Sequence, residues 1–396
     1  MSLYQKASLV QIPSGYKASA DKLYSVVPSN GDGDFTVDSS PLATRVNKDG
    51  LIESVVADQA RLNYDPTNPQ DPHLLLEPSR TNNASRSETP QDGSWSDPLS
   101  EWTLLTETTT SPRGDQTRVF NLEDSTGTLI RCQDFSVAAG TYTISFYIKD
   151  IGGNFTGGIV DLGDQGSGDT TPSLSTVGSE WVRVSRTITT TSTKTFLDIQ
   201  LYFTGSTNKV GIWGLQLEAG SQSTSYIQTT GTAAVTRTAD FVSGGGDANL
   251  FNDSEGTLFV EAKVLDNNTS KINVINISDG TLANRVLFQW GGALNRLRTY
   301  LVVSYSNQTL IETTSYNTGD YLKIAVRYKT NDVAFYVNGT KVNSDTTANT
   351  FPNGTLNTID FTNGNLGSDY YFDGSLKQLM YFDTALSDSE LQTLTS

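Results

Sequence analysis

An all-β protein built from β-sandwiches is what this sequence predicts, on three observations. Thr, Ser, Asn, Asp and Gly dominate, charged residues make up only 18% and aromatics reach 10%, a mixture that suits short strands and polar turns better than helices rich in Ala, Leu, Glu and Lys. Apolar and polar residues alternate in many runs; in Tyr142, Ile144, Phe146 and Ile148 the strand period repeats four times on one face. Strong turn signals separate such runs, above all Asn338-Gly339, where both positions of a tight hairpin turn need positive φ. At 396 residues the chain exceeds one ordinary core, and two or three domains are expected.

Residues 1–82 consist of short mixed runs, Leu3 to Ile12, Tyr16 to Ala20 and Leu23 to Val27, broken by Pro13, Pro28 and the turn cluster Ser29 to Asp34. Lys48-Asp-Gly50 between Val46 and Ile52 predicts a hairpin. The segment offers a thin core, so it reads as an arm that gains stability by docking on a partner.

Residues 83–226 read as a first sandwich. A loop with Trp95 and Trp102 leads to strands expected at Thr117 to Glu123, Leu129 to Phe135, Ala138 to Lys149, Trp181 to Ile188, Thr195 to Phe203 and Gly211 to Glu218, a spacing that a jelly roll would close. The Ser-, Thr- and Gly-rich stretch 227–240 reads as a linker. Residues 241–396 form a second sandwich, with strands from Thr257 to Val342 and a closing run Phe372 to Phe382. Ser387 and Glu390 supply a capping box for one short terminal helix, which Leu391 and Leu394 would pin to the sheet.

Several function classes recede on composition. The formal charge of -16, from 43 acidic and 27 basic residues, repels polyanions, so no nucleic-acid partner is expected. Cys132 is the single cysteine and His73, in Asp71-Pro-His-Leu74, the single histidine; zinc sites and Ser-His-Asp triads need more. The start Met1-Ser-Leu-Tyr-Gln-Lys6 lacks a signal-peptide pattern and no run reaches membrane-helix length. Synthesis in a cytoplasm without membrane insertion is therefore expected. Paired carboxylates could still serve a glycosidase, but the Glu-x-Asp-x-x-Glu spacing of concanavalin-like enzymes is missing from the last module. The expectation is a protein that is not an enzyme.

Two kinds of site remain. Calcium is the candidate cofactor, with Asp32 and Asp34 in the alternating acidic turn and Asp369 and Asp373 near an edge of the last module; a plain Asx-rich turn is the alternative. For glycans, whose pyranose rings offer apolar faces to aromatic side chains, the candidates are Trp95 and Trp102 in the first module and Tyr316, Tyr370 and Tyr371 in the second.

Four blocks carry a resemblance. Leu74-Leu-Leu-Glu-Pro-Ser-Arg-Thr-Asn82, with Ala43 to Ile52 and Arg61-Leu-Asn-Tyr-Asp65, resembles an N-terminal block of phage tail and structural proteins. The run Leu215-Gln-Leu-Glu218 through Ser225-Tyr-Ile227 to Thr236-Arg-Thr-Ala-Asp240 resembles the junction in phage virion proteins between a carbohydrate-binding-module-like sandwich and a concanavalin/laminin-G-like one. The resemblance implies a virion surface protein, such as a tail or head fibre, tail-tip or capsid decoration protein, present as a homo-oligomer or in many copies. It would attach to other virion proteins through the N-terminal arm and bind host-surface glycans. A purely structural brace and a polysaccharide depolymerase are the alternatives.

Overall fold

The computed structural model describes residues 2–12, 22–65, 68–89, 94–97, 99–123, 127–163, 174, 177–205, 208–266, 271–362 and 370–396. The Tyr16 to Ala20 run and Asp369 lie outside them. The chain divides into a C-terminal unit, Met1–Pro41, Val56–Pro78 and Ala239–Ser396, and a central unit, Leu42–Val55 and Ser79–Thr238.

In the C-terminal unit an eight-stranded sheet runs Thr340–Asp345, Val333–Val337, Leu322–Lys329, Glu255–Val264, Gly374–Phe382, Asn68–Leu76, Arg61–Asp65, and Leu9–Gln11 also pairs with Gly374–Phe382. Facing it is a five-stranded sheet in the order Ser306–Thr313, Leu297–Val303, Arg285–Gly291, Ile272–Ser278, Thr358–Asp360. Alternate residues of both sheets, among them Leu258, Val260, Ile324 and Leu379 from the first and Ile275, Phe288, Trp290 and Leu301 from the second, share one buried core. That shared core makes the unit a sandwich. The Asn338-Gly339 turn takes φ of 46° and 75°, as its hairpin requires. The other face of the larger sheet is covered by a smaller cluster in which Phe259, Tyr336 and Met380 meet Leu386 and Leu391. Leu391 belongs to the helix Asp388–Thr395, which starts with the expected capping box of Ser387 and Glu390.

The central unit is a second sandwich. Its five-stranded sheet runs Trp102–Thr110, Gln116–Leu122, Asn208–Ala219, Gly140–Asp150, Val182–Thr190, and its four-stranded sheet Phe155–Asp161, Leu197–Phe203, Thr128–Cys132, Trp95–Ser96. Ile144, Phe146 and Ile148 meet Ile130, Ile199 and Leu201 in its core. The hairpin expected around Lys48 forms, pairing Thr44–Val46 with Ile52–Ser54 across Gly50 at φ 79°.

The first 82 residues do not stand apart as an arm. Leu9 pairs with Tyr381 and Leu74 with Leu376, and Leu9, Leu74 and Leu76 are buried in the C-terminal unit's core; residues 42–55 and 79–82 belong to the central unit. The physical reason is the edge of Gly374–Phe382, whose unpaired backbone groups and apolar side chains these short strands cover. A short helix, Leu3–Lys6, adds a second capping box, Ser2 with Gln5. The stretch 227–240 is likewise not a bare linker: Val235–Arg237 pairs with Arg80–Asn82, and Tyr226, Ile227, Arg237 and Asp240 are buried.

Candidate functional site

One end of the C-terminal sandwich collects the most chemistry. Lys271 stands just before the strand Ile272–Ser278, and Tyr371 and Asp373 just before Gly374–Phe382. The Lys271 ammonium lies 3.6 Å from the Tyr371 ring centroid and pairs with Asp373 Oδ2. The Asp373 backbone is pinned as well, its N–H donating to Asn273 Oδ1 at 2.7 Å and its carbonyl accepting from Leu265 N–H at 2.9 Å. Tyr371 packs edge-on against Phe241, with centroids 4.9 Å apart.

Close backbone approach fixes the lysine. Gly291, at φ 100°, lies so near the Lys271 carbonyl that a Cβ there would come within 1.9 Å of it. Only glycine fits both demands.

Asp373 is 3% exposed, and its Oδ1 has no hydrogen-bond partner among the described residues. Leaving a buried acceptor unpaired costs about 1–3 kcal/mol. Tyr370 beside it is 36% exposed while Tyr371 is 8% exposed. The site thus holds a partly exposed lysine paired with a buried carboxylate, next to an exposed aromatic ring.

The other expected aromatic platforms are in other places. Trp95 is 4% exposed and stacks on Phe120, with centroids 5.9 Å apart, because Trp95–Ser96 joins the sheet beside Thr128–Cys132 and turns the indole inward. Trp102 is half-buried edge-on to the same Phe120 at 5.0 Å. Tyr316 is half-buried against the core and donates its hydroxyl to the Val337 carbonyl at 3.3 Å. These three rings serve packing, contrary to the expectation of exposed stacking surfaces.

The acidic turn is accounted for by its own chain. Asp34 Oδ1 accepts from the Ser25 N–H at 2.8 Å and the Ser25 hydroxyl at 3.2 Å, and Asp32 Oδ2 accepts from Asn30 Nδ2 at 2.6 Å. Among the described residues no group of three or more His, Cys, Asp or Glu side chains could hold a metal ion. Asp373 gives one oxygen to Lys271, and its expected partner Asp369 is outside the described residues.

Two reactive groups are quiet. Burial pushes the Cys132 thiol up to about 12. His73 lies in the strand Asn68–Leu76, not in a linker, with Asn63 Nδ2 3.2 Å from its Nε2 and the Tyr321 ring edge-on at 6.3 Å. Burial, then the charges of Lys263 and Lys377, lower its pKa to about 4, so it is neutral near pH 7. The two lysines flank the Tyr321 ring at 4.9 and 4.3 Å. Lysines 271, 263 and 377 and Asn273 carried no signal in the sequence, since their spacing follows no motif.

Comparison with known proteins bears on this unit. Residues 245–392 match the family model of the concanavalin A-like lectin/glucanases superfamily. Among solved structures, CBM40 of the Ruminococcus gnavus IT-sialidase bound to alpha2,3 sialyllactose is 17% identical over 38% of this chain and 86% of its own, with a TM-score of 0.32. The SAP-like pentraxin from Limulus polyphemus is 16% identical over 36% of this chain and 70% of its own, TM-score 0.28. The NanB sialidase from Streptococcus pneumoniae is 17% identical over 38% of this chain and 25% of its own, TM-score 0.31. At these scores the structural likenesses carry no weight for function. Among curated proteins none matches the chain. Residues 245–392, which hold Lys271, Tyr370, Tyr371 and Asp373, are similar to the lectin-like sandwich of that superfamily.

Proposed function

We propose that this chain is a non-enzymatic surface protein of a tailed-phage particle whose C-terminal sandwich binds host-surface glycans. The observation that carries the glycan reading is exposed Tyr370 next to the Lys271–Tyr371 pair, in the segment similar to lectins. The partly exposed Lys271 ammonium would donate to a sugar hydroxyl, and Tyr370 would cover an apolar sugar face. Each such contact is weak, and many copies on one particle would raise avidity without new contacts. The virion setting is supported by the Leu74-to-Asn82 and Leu215-to-Asp240 blocks.

The non-enzymatic part is supported by the quiet state of the two obvious catalytic groups. Cys132 is held as a thiol, His73 is neutral and buried, and the two belong to different units.

A glycan array probed with the intact chain tests the binding. Reproducible binding of a glycan set is expected; a folded chain that binds none would leave the bracing role instead. Immunogold labelling should place the chain on assembled particles, and labelling absent from particles would overturn the virion role. Release of new reducing ends from host polysaccharide would overturn the non-enzymatic part.

A further inference from the structure

We propose that Asn30 is a site of spontaneous covalent modification, the Asn-Gly pair that the fold, among the described residues, leaves open to deamidation through a succinimide, with water as co-reactant. The site shares no residue with the Lys271–Asp373 region and stands whether or not that region binds glycans.

Four asparagines in the chain precede a glycine: Asn30, Asn338, Asn353 and Asn363. Asn363 lies outside the described residues. Glycine in the second position favours the reaction, since no side chain hinders the approach of its backbone nitrogen to the asparagine side chain. Asn30, Asn338 and Asn353 are all exposed, so water reaches each. Access therefore does not separate the three, and their hydrogen bonds do.

The reaction needs an unbonded glycine nitrogen and a side-chain carbonyl carbon turned towards it. At Asn338 both are engaged elsewhere: Oδ1 accepts from the Lys323 N–H across the hairpin at 2.9 Å, and the Gly339 N–H donates to the Thr395 hydroxyl at 3.1 Å. At Asn353 the nitrogen is engaged, the Gly354 N–H donating to Oδ2 of buried Asp253 at 2.6 Å. A proton held by a carboxylate is hard to remove.

Asn30 differs on both counts. The Gly31 N–H makes no hydrogen bond among the described residues. Asn30 Oδ1 accepts from the Asp32 N–H at 3.2 Å in an Asx turn, which folds the side chain back over the Gly31 peptide. That donor also draws charge from Cγ, where the attack falls, and stabilises the oxyanion that forms there. Asp34 gives its Oδ1 to the Ser25 N–H and hydroxyl, and its Oδ2 lies 3.6 Å from the place a Cβ of Gly31 would occupy. A base for the Gly31 proton, direct or through one water, is thus at hand.

The Gly31 nitrogen gives up its proton and bonds to Asn30 Cγ, the Cγ–Nδ2 bond breaks, and ammonia leaves with a proton. Water then opens the succinimide at either carbonyl, leaving aspartate or isoaspartate. One water is consumed, one ammonia is released, and nothing is oxidised or reduced. The product carries a carboxylate where Asn30 Nδ2 had donated to Asp32 Oδ2 at 2.6 Å, so like charges then face each other across the turn.

The test incubates the full chain in mildly alkaline buffer at physiological temperature, and in parallel in concentrated urea. Peptide mapping by mass spectrometry, with isoaspartyl methyltransferase labelling, follows each Asn-Gly pair. In the folded chain Asn30 should convert at least about tenfold faster than Asn338 and Asn353, whereas in urea the three should approach one rate. Asn30→Gln, which would have to close a larger ring, should remove the label from that peptide. Conversion at Asn338 or Asn353 as fast as at Asn30, an unreacted Asn30, or the same gap between the sites in urea would overturn the inference.

Discussion

Arg61 and Asp240, 179 residues apart, form an ion pair buried in the C-terminal unit, and Glu77 Oε2 completes it 2.6 Å from Arg61 Nη1. Glu77 and Asp240 are tied directly too, the Glu77 N–H donating to Asp240 Oδ2 at 2.8 Å and the Asp240 N–H to the Glu77 carbonyl at 3.0 Å. Burial alone would lower the Arg61 pKa, but Asp240 and Glu77 more than offset it and raise it. These residues come from three of the blocks that carry the sequence resemblance. Those blocks record a structural joint, which is why they identify an architecture and say little about a ligand. Arg61→Met should strand two buried carboxylates and lower stability by about 3–5 kcal/mol, read from urea unfolding; a loss below about 1 kcal/mol would contradict a structural role for the joint.

The central unit has an equivalent in Asn82, the last residue of the Leu74-to-Asn82 block. Its Nδ2 donates to the carbonyls of Leu215 (3.1 Å) and Ile227 (2.8 Å), and its Oδ1 accepts from the N–H groups of Ala84 and Leu217, both at 3.0 Å. Asn82→Ala removes the partner of four buried backbone groups, each worth about 1–3 kcal/mol when orphaned. Loss of soluble, cooperatively folding protein is expected in expression and thermal unfolding. A variant with the wild-type Tm would show that the network is dispensable.

Stability should fall between about pH 6.5 and pH 4 through His73. The unfolded residue takes up its proton near 6.5, whereas the folded one waits until about 4. Its contribution is therefore complete above the higher value and declines as pH falls to the lower one, by roughly 3 kcal/mol in total. Urea unfolding across this range should show the decline in the wild type and a flatter profile in His73→Gln. Equal slopes would remove His73 as the cause.

The fragment 241–396 should fold poorly. It lacks Leu9–Gln11, Asn68–Leu76 and Arg61–Asp65, and so bares the edge of Gly374–Phe382 together with core partners of Leu9, Leu74 and Leu76. Aggregation or rapid proteolysis of the fragment, against a resistant full chain, is the expected outcome. A monomeric, resistant fragment would show that the early strands add little.

Local signals made the sandwiches readable. Tyr142, Ile144, Phe146 and Ile148 are all buried in one strand, Asn338-Gly339 forms its turn, and Ser387 caps its helix. The early strands escaped because Leu9–Gln11 is three residues long, too short to show a period, and its partner lies near the other end of the sequence. Trp95 misled because indoles in polar loops suggest exposure, while a two-residue strand folds it under. The candidate site was half legible. Tyr370, Tyr371 and Asp373 stand together in the sequence, but Lys271 and Asn273 reach them only because the sandwich packs the start of one sheet's strand beside the start of the other's, which no spacing encodes.

The most direct measurement is the affinity of an array-selected glycan for the intact wild type, Tyr370→Ala and Lys271→Met. Tyr370 is exposed, so Tyr370→Ala should keep the wild-type Tm, whereas Lys271→Met removes the partner of buried Asp373 and should lower stability by about 3–5 kcal/mol while the core stays folded by circular dichroism; both should lose tenfold or more in affinity. Wild-type affinity in both variants, or a folded wild type that binds no glycan, would contradict a glycan site at Lys271, Tyr370, Tyr371 and Asp373.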